Sequence, residues 1–141
     1  MIVVLDASAA AEIVKQTQPG VDFINALMRS ERVLAPDLYI AEIGNFMWKN
    51  GRQDKVRADT LTKMAEECIG YIDEYVSSTE LWREALRLAL EQDHPVYDML
   101  YAVLARRHDA VLLTMDRRLC DVCERLSIRY KGADIEGINP D

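Results

Sequence analysis

Residues 2–5 read Ile-Val-Val-Leu, four β-favouring apolar residues in unbroken succession. A strand with one wet face alternates polar and apolar residues. An unbroken run instead needs cover on both faces, which is the condition of a parallel strand inside an α/β fold. The run stops at Asp6, and Ala-Ser-Ala-Ala-Ala-Glu-Ile follows as a helix-like segment. A buried strand that ends in an acid and turns straight into a helix puts that acid on one particular rim. It is the rim where the carboxyl ends of parallel strands gather.

Ser8 is positioned to cap this first helix, which is expected to end before Pro19-Gly20. Val21 to Met28 repeats apolar residues at helical spacing, and Val33 to Ala35 is a short strand stopped by Pro36. Leu38 to Asn50 predicts a mostly buried helix, with Gly44 allowing close backbone approach and Gly51 as its stop. Residues 53–68 predict a second helix, and the two form an antiparallel arm. Tyr71 to Val76 predicts a strand, and a helix follows from Ser77 or Ser78. A buried helix opens near Pro95, then come strand Ala-Val-Leu-Leu-Thr, a helix over Asp116 to Leu126, and edge strand Ser-Ile-Arg-Tyr.

That order predicts a four- or five-stranded, mainly parallel sheet covered on both faces, with a protruding helical pair. Residues 1–131 are expected to form one domain. The acidic tail 132–141 is a loose end, a partner contact or the cover of an edge strand. A chain of 141 residues is long enough to bury about two thirds of its extended surface. No apolar run is long enough to cross a bilayer, and the start carries no charged leader, so a cytoplasmic protein is expected. Cys68, Cys120 and Cys123 read as reduced packing thiols. Cys120 and Cys123 have a CxxC interval but lack two further ligands nearby in sequence.

Four acids converge on the rim. Asp6 follows the first strand, and Asp116 follows Val-Leu-Leu-Thr after one residue. Asp98 lies in the first turn of the helix after His94-Pro95, where helical amides favour its charged form. Glu42 is one turn into the helix after Pro36-Asp37. Glu42 and Asp98 stand in otherwise core-facing segments, where an unpaired charge is expensive. Converging carboxylates repel unless protons or a cation offset them, and hard oxygen donors suit Mg²⁺ or Mn²⁺. Such a site can hydrolyse a phosphodiester.

Asp6, Asp98 and Asp116 are the expected direct ligands, and Glu42 is expected either to join them or to orient the water. Ser8, Asn45 and Thr114 are the expected supporting residues; Asn45 lies three residues after Glu42 and Thr114 two before Asp116. His94 and His108 read as structural or exposed.

Together Val-Leu-Asp-Ala-Ser-Ala, the P-x-L-x-x-x-E-x-x-N segment at 36–45, Tyr-Asp-Met-Leu-Tyr-Ala-Val-Leu-Ala at 97–105 and Leu-Leu-Thr-Met-Asp-Arg-Arg-Leu at 112–119 resemble the successive motifs of PIN-domain nucleases. Length and order are most similar to the VapC-type toxins of prokaryotic toxin–antitoxin pairs. The resemblance implies a three-layer α/β/α sandwich and a metal-dependent endoribonuclease. It carries the acidic site to Asp6, Glu42, Asp98 and Asp116. It also implies a homodimer to which the helical arm contributes, and a small VapB-like antitoxin that blocks the groove.

A formal charge of −7 argues against long-range attraction to nucleic acid. An RNA substrate therefore requires cations at the acidic site and local bases on the phosphates. Lys49, Arg52, Lys55 and Arg57 cluster around the arm, and Arg106-Arg107 and Arg117-Arg118 add bases further on. Tyr39, Trp48 and Tyr101 either stack on bases or pack in the core or a dimer interface. Two other readings stand beside the nuclease. A phosphatase or receiver-like domain also gathers acids and Mg²⁺ at such a rim, though Asp6-Ala7-Ser8 lacks a second acid and no lysine follows Val-Leu-Leu-Thr-Met. The other is a dimeric interaction module without turnover.

Overall fold

A computed structural model describes residues 1–133 and the backbone of residues 136–137. Strand β1 (Ile2–Leu5) lies inside the sheet, between β2 (Arg32–Pro36) and β4 (Val111–Leu113). Strand β3 (Glu74–Val76) flanks β2, and β5 (Tyr130–Lys131) flanks β4. These five strands run parallel; Val3 pairs with Val33 on one side and Val111 on the other. Val3, Val4 and Leu5 are all 0% exposed. Successive strand residues point to opposite faces, so both faces of β1 are covered, as the apolar run requires.

A two-residue strand β6 (Glu136–Gly137) pairs antiparallel with β5. It falls within the 132–141 segment and extends the sheet beyond β5. Positions 134, 135 and 138–141 of that segment lie outside the described residues.

Helix α1 (Ala7–Val14) is capped by Asp6, whose side chain accepts from the Ala9 N–H, and not by Ser8. Helix α2 (Gln18–Arg29) starts earlier than its apolar repeat, with Thr17 as cap and Pro19 in the first turn. Gly20 sets the α1–α2 junction: a Cβ there would lie 2.1 Å from the Glu12 carbonyl oxygen.

Two glycine expectations fail. Helix α3 (Leu38–Asp54) runs through Gly51 and ends where Lys55 turns left-handed at φ 52°. Gly51 instead lets the next helix close in, since a Cβ there would lie 2.7 Å from Leu61 Cδ1. At Gly44 a Cβ would meet nothing within 4 Å, so no close approach depends on it. Helix α4 (Ala58–Gly70) therefore starts later than expected and packs on α3 as the arm.

Helix α5 (Ser78–Gln92) packs on α6 (Val96–Arg107), which lies against β1, β2 and β4 and is buried from Met99 to Ala105. Helix α7 (Arg117–Arg125) follows β4. Asp37 ties the carboxyl ends of β2 and β3 together: its N–H donates to Val76 O at 2.9 Å, and its carboxylate accepts from the Ser78 N–H at 3.1 Å. All three cysteines are buried free thiols, and burial pushes Cys120 up to about 11. Among the described residues no helix is long and apolar enough to cross a membrane.

Candidate active site

Asp6 stands at the base of the rim. Its N–H continues the β1–β4 pairing by donating to Leu113 O at 3.1 Å. The residue is only 6% exposed, so its carboxylate depends on local donors. Oδ1 accepts from Ser8 Oγ at 2.6 Å and from the Ala9 N–H at 2.9 Å, while Oδ2 accepts from Thr114 Oγ1. Thr114 also accepts from the Asp116 N–H at 3.0 Å, and Ser8 Oγ accepts from the Met115 N–H at 2.9 Å. Two hydroxyls thus lock the β1–α1 turn to the β4–α7 turn. Burial pushes the Asp6 carboxyl up to about 7 against those hydrogen bonds, and Glu42 pushes the same way.

Asp116 caps α7, with Oδ1 accepting from the Arg118 N–H at 2.9 Å. Asp98 is in the first turn of α6. Helical amides do not dominate there: burial pushes the Asp98 carboxyl up, His94 opposes this, and Asp116 adds to the rise. Glu42 reaches across from α3, and its Oε1 accepts from Tyr101 Oη at 2.6 Å. Burial pushes Glu42 up, the Tyr101 bond opposes it, and Asp98 adds to the rise. The four acids therefore form an electrostatic chain, with Asp6 beside Glu42, Glu42 beside Asp98 and Asp98 beside Asp116.

Two contributors differ from the expected set. His94 is buried, and its Nε2 lies 2.6 Å from Asp98 Oδ2. One ligand atom each from His94, Asp98 and Asp116 all fall within 4.8 Å of one another. Tyr101 is 1% exposed and holds Glu42. Helical spacing was the available signal for Tyr101, which lies three residues after Asp98 on α6, whereas His94 precedes Pro95 and lies outside the helix. The donor set fits a divalent cation: hard oxygens predominate, their charges repel without compensation, and no thiol takes part.

Other expected residues stand apart. Asn45 is exposed, on the side of α3 away from the buried Tyr39, Ile43 and Met47. Lys49, Arg52, Lys55, Arg57 and Arg117 are all exposed. The Arg52 guanidinium lies 5.0 Å over the half-exposed Trp48 ring, and Arg57 pairs with Asp59 at 3.5 Å. Arg106 and Arg107 both pair with Glu84, at the opposite end of α6 from Asp98. Tyr39 and Tyr101 are buried and unavailable for base stacking.

The chain matches the PIN domain family over residues 3–125. It is 31% identical over 123 residues to Ribonuclease VapC3 of Pyrobaculum aerophilum, covering 86% of this chain and 94% of that protein. Among solved structures it resembles PAE2754 from Pyrobaculum aerophilum, with a TM-score of 0.70 and 25% identity, covering 86% of this chain and 79% of the other. It also shares its fold with VapBC2 from Rickettsia felis, solved bound to a DNA fragment from their promoter. There the TM-score is 0.60 at 15% identity, over 91% and 93% of the two chains. With acids from four separate segments drawn to one rim of a parallel sheet, and a family match that spans strands β1 to β4 and most of the chain, the chain belongs to the PIN domain family.

Proposed function

We propose that the protein is a metal-dependent endoribonuclease that hydrolyses RNA phosphodiester bonds at the Asp6, Glu42, Asp98 and Asp116 cavity, as the VapC-type toxin of a type II toxin–antitoxin pair. The observation that carries this reading is the convergence of those acids, with the carboxyls of three of them raised by burial. Carboxylates crowded this way hold protons or bind a cation. Similarity to a protein named as a ribonuclease supplies the substrate class.

Asp98, Asp116 and Asp6 would hold Mg²⁺, with Mn²⁺ as a substitute, and Glu42 would join them or orient the attacking water. The bound cation supplies Lewis-acid polarisation of the phosphoryl oxygen and a more acidic water. Thr114 and Ser8 keep Asp6 aimed by fixing its two oxygens. Tyr101 engages one Glu42 oxygen and leaves the other for the site. Lys49, Arg52, Lys55, Arg57 and Arg117 are the proposed phosphate contacts, which position RNA without reading its sequence.

A homodimer in the cytoplasm, with a VapB-like antitoxin over the acidic groove, completes the proposal. Apolar side chains left in water support a protein partner: Ile40 and Trp48 on α3, and Trp82, Leu86 and Leu90 at four-residue spacing on α5. The test is cleavage of RNA by the purified protein with Mg²⁺, with Mn²⁺ and with chelator, beside Asp6→Asn. Cleavage that needs the cation and is lost in Asp6→Asn is expected. Cation-independent cleavage, or full activity in the variant, would refute the proposal, and absence of turnover would favour a non-catalytic interaction module.

A further inference from the structure

The two flanks of the acidic cluster differ in chemistry. Asp6 and Glu42 offer only oxygen. On the other flank an imidazole accompanies the carboxylates: the His94 side chain is 4% exposed and its Nε2 is 2.6 Å from Asp98 Oδ2. Its backbone N–H donates to Ala89 O at 3.1 Å, which fixes it at the junction between α5 and α6. The ligand atoms of His94, Asp98 and Asp116 span no more than 4.8 Å. Donors to one small cation sit about 2.0–2.2 Å from it, hence within roughly 4.4 Å of each other. Ligation of one ion would replace the His94–Asp98 hydrogen bond, opening that pair to about 3 Å while Asp116 draws in.

We propose that His94 is a direct nitrogen ligand on the Asp98–Asp116 flank, where it adds affinity for Mn²⁺ and other first-row transition ions while Mg²⁺ still binds through the oxygens alone. The inference rests on the cation-site reading above and goes beyond it by adding a ligand and a preference. A ring nitrogen strengthens binding of transition ions, whereas Mg²⁺ keeps to oxygen donors and its own waters. Ligation through Nε2 needs the tautomer that carries its proton on Nδ1.

The chain contains only two histidines, which makes the test clean. His108 caps the far end of α6, about 18 Å along the helix from its start. Pulsed electron paramagnetic resonance on the Mn²⁺-loaded protein reads nitrogen bound to the ion. A ¹⁴N coupling is expected in the native chain, replaced by a ¹⁵N coupling after selective histidine labelling, retained in His108→Gln and absent in His94→Gln. By calorimetry His94→Gln should weaken Mn²⁺ binding about tenfold or more and Mg²⁺ binding by less than about twofold.

Mn²⁺ bound without histidine coupling, or equal losses for both ions, would overturn the assignment while leaving the cation site intact. A native chain that binds neither ion would overturn the cation site and His94's role together. The labelled native protein decides the question even if His94→Gln fails to fold.

Discussion

Tyr101 Oη donates to Glu42 Oε1 at 2.6 Å, joining α6 to α3 although the two residues are 59 positions apart. The ring is buried, so Tyr101→Phe keeps its packing and removes only the donor. A hydrogen bond to a charged group contributes about 1.5–3 kcal/mol. The variant should fold normally and cleave RNA roughly tenfold or more slowly. The lost bond opposes the rise in the Glu42 carboxyl, so its removal should also shift the onset of activity to higher pH. A pH–rate profile on both proteins checks the sign.

Thr114→Val should be worse than its size suggests. It deprives Asp6 Oδ2 of a donor and the Asp116 N–H of an acceptor in one step. Leaving such groups unmade costs about 1–3 kcal/mol each. We expect lower thermal stability and at least about tenfold slower cleavage, whereas Thr114→Ser should restore most of both.

Stability of the cation-free protein should fall as pH rises. Asp6 is pushed up to about 7 from 3.8, so the folded state keeps a proton that the unfolded chain releases. That contribution is complete below pH 3.8 and is lost as pH passes through about 7. Its upper limit is roughly 4 kcal/mol. Denaturant melts across this range should show the decline, and Asp6→Asn should flatten it. Glu42 and Asp98 are shifted in the same direction, so some slope should persist.

Gly20→Ala tests the α1–α2 junction. Its methyl would sit 2.1 Å from a backbone oxygen and 3.0 Å from Ile13 Cα. Neither neighbour is a flexible side-chain end, so a helix must move. A loss on the order of 3 kcal/mol is expected, seen as a drop in Tm of roughly 10 °C.

Lys55→Ala should weaken RNA binding alike for unrelated sequences and reduce the slope of log affinity against log salt by about one. Lys55 is exposed at the left-handed end of α3, so the fold should be unaffected. An unchanged slope would remove it from the phosphate contacts.

The site was legible where charge met an apolar setting. Asp6 after an unbroken strand, and Glu42 and Asp98 inside buried helices, stand out because burial makes an isolated charge costly. Parallel topology then sends them to a common rim. Finer details depended on angles that spacing does not fix. Asn45 follows Glu42 by three residues, yet the stripe of Tyr39, Ile43 and Met47 turns it toward solvent. His94 precedes Pro95 and lies outside α6, so helical periodicity gave it no address; the return of the chain from α5 placed it on Asp98. Ser8 looked like a cap, but Asp6 took that role, and the serine hydroxyl bridges Asp6 to Met115.

Strand β1 is made first but lies in the interior of the sheet, between β2 and β4. During synthesis its β4 side stays unpaired until residues 111–113 are made, and Asp6 lacks Thr114 and Asp116 until the residues that follow them are added. A nascent or truncated chain therefore carries the first carboxylate without Thr114 or Asp116 near it. Strand order alone thus delays assembly of the acidic cluster until the segment that carries Thr114 and Asp116 has been added.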